Sequence, residues 1–596
     1  MNKAKFLYIF SVLLLVSVSC NKDYLDKTPD EDLTLEEVFS QRRYAESFLT
    51  SMYFNLPEEL SFNDWWGRNP FVGASDEMEI TWTYPFAHLM NSGAWNADNV
   101  EPNIWNFMFE GIRKANIFLA NVEKVPMEES ARQVWIGEAT FMRAFFHFWL
   151  ARIYGPVPIV NEAFTADADF AAQIKRAPID QVISFIASEC DKAASLLPMR
   201  ATSDKYGRAT AAAALALKSR ALLYMASPSW NGNAEYAGFK NKEGEELFPT
   251  SYNQERWKAA ADAALDCIEQ VESAGYKLYR SADGDPVKSY QELFLNRWND
   301  EVLFARNMGV WDHQERCTSP NGMGGWSGYC PTQELVDSYQ MVNGEQPILG
   351  YNPDGSPIIN EESGYSDAGY ATEAHPEGWY PAGIRNMYVG REPRFYASIH
   401  YSGAMWRGRP IEFWLTGLDG RGKGGPDYAI TGYLMKKFSD PTVNIPQGRF
   451  TLKTWIYFRL GEQYLNYAEA LNEYQGPVPD VYAYVNLIRE RAGLPALPAD
   501  LNKEEMREKI RHERKIELAF ETHRYFDCHR WKIAHIIDNS DIHGLNIGSG
   551  TSLQDESFYQ RTFIEKRIFV NPKHYLWPIP QSEIDKNVNI VQNPGW

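Results

Sequence analysis

The sequence predicts a mainly α protein, a tetratricopeptide-like scaffold of helical hairpins with an irregular, aromatic-rich loop lobe inserted in the middle. Three observations carry this. Apolar residues recur every three or four positions in both terminal thirds. The intervening third is rich in Gly, Pro, Trp and Tyr and lacks long periodic runs. The chain holds 19 Trp, 33 Tyr and 32 Phe, alongside an ordinary 44% hydrophobic and 23% charged content.

The elements follow in order. Lys3 and Lys5 precede an apolar run from Phe6 to Val18, the layout of a secretory signal over residues 1–19. The run is too short to span a bilayer as a helix, which takes roughly 20 apolar residues. It ends at Cys20, with small Ser17 and Ser19 beside it, and looks like a bacterial lipobox in which the cysteine becomes acylated. Residues 20–33 are polar and contain Pro29, so they read as a lipidated tether.

Residues 34–280 read as the N-terminal scaffold. A helix from about Glu101 to Val125 precedes "RQVWIGEATFMRAFFHFWLARIYG", where Trp135, Ala139, Met142, Phe146, Trp149 and Ile153 share a face. Gly155 and Pro156 end that helix. "PIDQVISFIASECDKAASLLP" and "RATAAAALALKSRALLYMAS" form a second hairpin, and "ERWKAAADAALDCIEQVESAGY" is a further helix. Residues 281–447 read as the loop lobe, with "SPNGMGGWSGYCP" and "LDGRGKGGPDY" as loops by composition. Long loops on a rigid scaffold are where binding usually sits. Residues 448–596 return to helices in "RLGEQYLNYAEALNEY" and "VYAYVNLIRERAGL", then end in an apolar, Pro-containing tail expected to pack back onto the scaffold. The helical pairs keep no fixed 34-residue period, so a regular solenoid is not expected.

Net charge is −19, which argues against nucleic acid as a partner. Besides Cys20 the chain carries Cys190, Cys267, Cys317, Cys330 and Cys528. Cys190 and Cys267 lie in helical apolar patterns and read as buried, whereas Cys317 and Cys330 flank a Gly-rich loop and are open to pairing or to staying free. No Cys/His cluster has zinc-site spacing, so no metal or other cofactor is expected. In "REKIRHERKIELAFETHRYFDCHRW", Glu513, Glu517 and Glu521 recur at i,i+4 among Arg514, Lys515, Arg524 and Arg530, while His512, His523 and His529 do not. That pattern reads as structural ion pairing.

A site for sugars pairs flat aromatics with polar groups that meet the hydroxyls. Two regions have that composition. One is "WWGRNPFVGASDEMEITWTYPFAHLMNSGAWNADN", with Trp65, Trp66, Arg68, Asp76, Trp82, Trp95, Asn96 and Asp98. The other is the middle lobe, with Trp311, Trp326, Tyr329, Trp379, Trp406 and Trp414. Asp76, Trp82, Trp95, Asn96, Trp326, Tyr329 and Trp406 are the glycan-binding candidates. Trp326 leads, because Gly324, Gly325 and Gly328 leave little near it to cover an indole. Asp76, Glu77 and Glu79 also suit a glycosidase, which needs two carboxylates flanking the scissile bond.

Several stretches in order resemble the SusD/RagB family of outer-membrane nutrient-binding lipoproteins: "RAFFHFWLARIYGPVPIV", "YGRATAAAALALKSRALLY", "REPRFYASI", "YLNYAEALNEY", "VNLIRERAGLP", "ERKIELAFETHRYFDCHRW" and "YLWPIPQSEIDKNVNIVQNPGW". The resemblance spans nearly the whole mature chain. It implies a non-catalytic glycan binder, held to the outer membrane by a lipid anchor at Cys20 and exposed on the cell surface. It also implies delivery of oligosaccharides to a TonB-dependent transporter of the SusC type. A lipid-anchored glycoside hydrolase, or a transporter adaptor without a glycan site, are the alternatives.

Overall fold

The computed structural model describes residues 33–62, 69–164, 174–352 and 355–596. The signal segment, Cys20, Trp65, Trp66 and Arg68 lie outside the described residues. Among the described residues no helix is long and apolar enough to cross a membrane.

The scaffold is a succession of helices, each packed on the next. They are α1 (Arg42–Met52), α2 (Ile104–Asn121), α3 (Glu129–Tyr154), α4 (Ile179–Leu196), α5 (Ala211–Ala226) and α6 (Glu255–Ser273). After the lobe come α7 (Leu460–Gln475), α8 (Pro479–Arg491) and α9 (Lys503–Glu517). Neighbours in this series touch from α1 to α8, and α9 packs on α7. The pair α6–α7 closes the series across the lobe, so the insertion leaves the helical stack continuous.

Local sequence explains the helix ends. Asn103 caps α2 by accepting from Asn106 N, and Thr210 caps α5 by accepting from Ala213 N. Asn502 and Glu505 form a reciprocal capping box on α9. Gly155 stops α3 at φ +73°, a conformation L side chains resist. From Gly137 to its end α3 is buried on every side, which places it at the centre of the scaffold. Gly111 of α2 makes room there, since a Cβ would lie 2.5 Å from Phe146.

An antiparallel ribbon joins scaffold and lobe. Strand β2 (Val302–Val310) pairs with β4 (Leu452–Arg459), Val302 facing Arg459 and Val310 facing Leu452. One strand leaves the scaffold and the other returns to it. Two short strands, β1 (Met78–Ile80) and β3 (Tyr329–Pro331), also pair antiparallel, with Met78 opposite Pro331 and Ile80 opposite Tyr329. They tie an early scaffold loop to the lobe.

The charge-rich segment over α9 and beyond is a buried ion-pair network. Glu517 accepts from Arg394 at 3.0 Å and Arg459 at 2.7 Å, and is paired with Arg491. Glu513 pairs with Arg394 and Arg489, and Glu521 with Arg459 and Lys437. The role is structural ion pairing, as the pattern suggested, but the partners of these three glutamates come from other elements and not from the interleaved Arg514, Lys515, Arg524 and Arg530. All five described cysteines are buried and outside any disulfide, so Cys317 and Cys330 do not pair with each other.

The tail packs back. Tyr575, Leu576, Trp577 and Ile579 are buried, and Trp577 N donates to Ile153 O at 3.0 Å. Trp577 sits against Phe71, Phe86 and Trp95, and Trp596 meets Trp95 at 4.5 Å.

Candidate glycan-binding site

The β1–β3 pairing brings the two aromatic regions of the sequence to one place. Just past β1, Thr81 N donates to Gly328 O at 3.1 Å, and Thr81 Oγ1 reaches Ser327 O and Tyr428 O, both at 2.9 Å. The next residue, Trp82, lays its indole on Gly328, where an added Cβ would come within 2.1 Å of the ring. Its Nε1 donates to Asp427 Oδ1 at 3.0 Å. Tyr84, 57% exposed, stacks on Trp82 with ring centroids 6.2 Å apart and planes 26° apart.

Trp326 stands beside this pair on the opposing loop. Its N donates to Arg316 O at 2.6 Å, and Gly328 N donates to Cys317 O at 2.8 Å, so the loop is tied to the helix before it. His313 meets the Trp326 ring edge-on at 5.4 Å, and the Arg316 guanidinium lies 5.4 Å from its centroid. Asn321 Nδ2 donates to Asp427 O at 2.6 Å, which fixes the chain that carries the carboxylate under Trp82. The Trp82–Tyr84 pair, with Asp427 on the Trp82 indole, and Trp326, with Arg316 against its ring, are thus carried on loops tied to each other through Thr81, Gly328 and Asn321. Flat apolar faces beside a carboxylate and a guanidinium match the apolar face and hydroxyl rim of a sugar.

Trp326 is partly buried and packs against the core, and is not presented freely to solvent. The glycines beside it admit backbone rather than water: a Cβ on Gly325 would lie 2.0 Å from Ser319 O. Four other candidates are buried, which leaves them no face for a sugar. Asp76 is held by Arg524 at 2.7 Å and Lys515 at 3.1 Å, and these cations keep its carboxyl far below the usual range against the opposing effect of burial. Trp95 lies among Phe86, Trp577 and Trp596. Tyr329 is in the core with its hydroxyl accepting from Phe62 N at 3.0 Å. Trp406 is enclosed by His400, Arg407 and Lys436. Asn96 is exposed but serves a turn, accepting from Asp98 N at 2.8 Å, next to the C-terminal tail that contacts Ala97. Composition did not single out Tyr84, His313, Arg316 or Asp427; the nearest signal was the spacing of Tyr84 two residues after Trp82.

The carboxylates of the 76–79 stretch offer no reachable acid pair. Burial pushes Glu77 up to about 8, with Asp76 adding to the effect, and pushes Glu79 up to about 8 against the pull of Arg567. Among the described residues, Glu79, His88 and Glu565 form a group close enough to share a cation. Arg567 already meets both carboxylates there, at 2.9 and 3.0 Å.

Comparison with known proteins fits this architecture. The profile described as "SusD family" matches residues 298–596, and one described as "Starch-binding associating with outer membrane" matches residues 23–223. The chain belongs to the SusD family. The SusD-like protein P2 of Formosa agariphila is 23% identical over 99% of this chain and all of its own. The solved protein BT4246 superposes with a TM-score of 0.81 at 25% identity, covering 94% of this chain and 100% of that one. A SusD-like carbohydrate-binding protein of Bacteroides fragilis gives a TM-score of 0.70 at 25% identity, covering 93% of this chain and 99% of that one. Carbohydrate binding is named for that Bacteroides fragilis protein, and association with the outer membrane for the profile over residues 23–223.

Proposed function

We propose that this SusD-family chain is a non-catalytic glycan receptor, lipid-anchored through Cys20 on the outer face of the outer membrane, that passes oligosaccharides to a SusC-like TonB-dependent transporter. The observation that carries the reading is the Trp82–Tyr84 pair, with Asp427 on the Trp82 indole, on a loop tied to that of Trp326. Stacking on such rings binds a sugar without demanding catalytic groups. Asp76, Glu77 and Glu79, the carboxylates that suited a glycosidase, are instead buried, with Asp76 and Glu79 tied to arginines.

The test is affinity electrophoresis of the mature protein through gels containing amylopectin, xylan, galactomannan or laminarin, with reducing ends assayed alongside. Retardation in at least one gel without release of reducing ends is expected. Release of reducing ends would make the chain a hydrolase, and free migration in every gel would make it an adaptor. Co-purification of a TonB-dependent transporter from outer membranes of the native host tests the partner.

A further inference from the structure

A second aromatic cleft, which Trp326 does not line, lies where the end of α1 and the 204–208 loop meet β2. It has a volume of about 280 Å³ and runs between Phe54 and Tyr206, with Tyr53, Lys205, Arg306 and Asn307 on its walls. Phe54 is 71% exposed and Tyr206 42%, so both present ring faces to solvent. Behind Tyr206 the Trp298 indole stacks almost parallel, with centroids 5.0 Å apart and planes 9° apart.

This arrangement is rigid and costs something to hold. Trp298 takes φ +60°, a left-handed backbone that a bulky residue avoids. Its Nε1 donates to Asn307 Oδ1 at 2.9 Å, and Asn307 Nδ2 donates to Tyr206 O at 3.0 Å. The Asn307 amide thus fixes the Trp298 indole to the backbone of Tyr206, whose ring stacks on that indole. Gly207 lets that amide approach, since a Cβ there would lie 3.1 Å from Asn307 Nδ2. Strained, preset aromatic pairs on a protein surface are suited to recognition.

The geometry points to a second glycan subsite in the Phe54–Tyr206 cleft, taking another stretch of the same polysaccharide that lies on Trp326. It rests on the glycan-binding reading above. A flat ring face, a locked amide and mixed charge at the rim, from Lys205 and Asp204, repeat the chemistry of the first surface. Position supports the link. Asn307 lies on β2 and His313 touches Trp326, six residues further on. The chain between them spans at most about 20 Å. Along it Asn307, Gly309 and Val310 are exposed, so this stretch of β2 is open to solvent. A polysaccharide that engages both gains from effective concentration, and a short oligosaccharide engages one.

The experiment compares wild type with Phe54→Ala, Tyr206→Ala and Trp326→Ala in the four polysaccharide gels, with a thermal melt of each. Calorimetry with two- to three-unit fragments of whichever of the four polysaccharides retards the wild type completes it. Phe54→Ala, whose side chain is mostly in solvent, is expected to keep its melting temperature and lose about tenfold in retention, while short-fragment affinity at the Trp326 surface is unchanged. Trp326→Ala is expected to lose both. If the wild type is retarded and Phe54→Ala and Tyr206→Ala migrate with it, the second subsite is overturned and the first stands. If no gel retards the wild type, the glycan reading falls and takes this inference with it.

Discussion

At the scale of single residues, the site depends on what glycine lets its neighbours do. Trp82 rests on Gly328, and that contact leaves no room for a methyl group. Gly328→Ala should therefore push the indole off its seat and break the 3.0 Å bond to Asp427. Calorimetric titration with the retained glycan should show weakening comparable to that of Trp82→Ala, and wild-type affinity would take Trp82 out of the site. Tyr84→Ala removes an exposed ring and little packing. We expect binding to fall by about 1 kcal/mol, roughly fivefold, with the melting temperature unchanged. Trp326→Ala should weaken binding by about tenfold and also lower the melting temperature slightly, because the ring packs on His313 and Arg316.

At the scale of elements, periodicity made the scaffold legible and long-range contacts hid the site. The helix carrying Trp135 to Ile153 is read from its three-and-four spacing and its Gly155 stop, because both are local in sequence. Exposure of an aromatic is not local. Trp95 and Trp326 stand in similarly Gly- and Asn-dotted stretches, yet Trp95 is covered by a tail about 480 residues away and Trp326 by the preceding short helix. Asp76 looked like a sugar acceptor until Arg524, also remote in sequence, reached it. The tail could be read because Pro-containing, Trp-rich ends have nowhere polar to go. It inserts Trp577 among Phe71, Phe86 and Trp95, and Asn593 Nδ2 ties it to Tyr154 O at 3.0 Å. Deleting the chain from Tyr575 onward should cost several kcal/mol of the ~5–15 kcal/mol that such folds possess. A chemical-denaturation curve should show a lower midpoint or no cooperative transition, and an unchanged midpoint would make the tail dispensable.

At the scale of the whole molecule, the proposed anchor at Cys20 and the buried titratable groups each make a measurable difference. Cys20→Ala should release the folded protein from the membrane fraction, and retention after a high-salt wash would rule out acylation there as the anchor. Stability against pH is decided by two sets of buried groups with opposite signs. Burial, reinforced by Asp76, pushes the Glu77 and Asp538 carboxyls up to about 8. Between their ordinary range near 4–4.5 and pH 8 the folded chain keeps protons that the unfolded chain has lost. Their contribution is therefore full below that range and disappears as pH rises through 8. Burial pushes His147, His529 and His574 down to about 4, so the folded chain refuses protons that the unfolded chain takes up below about 6.5. Their contribution is full above 6.5 and disappears as pH falls through 4. The two slopes oppose each other between roughly pH 4.5 and 6.5; above 6.5 only the carboxyl slope remains, so stability should fall from there toward pH 8. Glu77→Gln isolates one of them. Glutamine carries no proton to lose, and its carbonyl can take over the 3.1 Å bond from Phe520 N. The variant should gain on the wild type steadily from pH 5 to pH 8, by an amount on the order of a few kcal/mol at the upper end. Melting temperatures of both proteins across that range provide the measurement. A gap that stays constant with pH would show that Glu77 is already ionised in the folded chain.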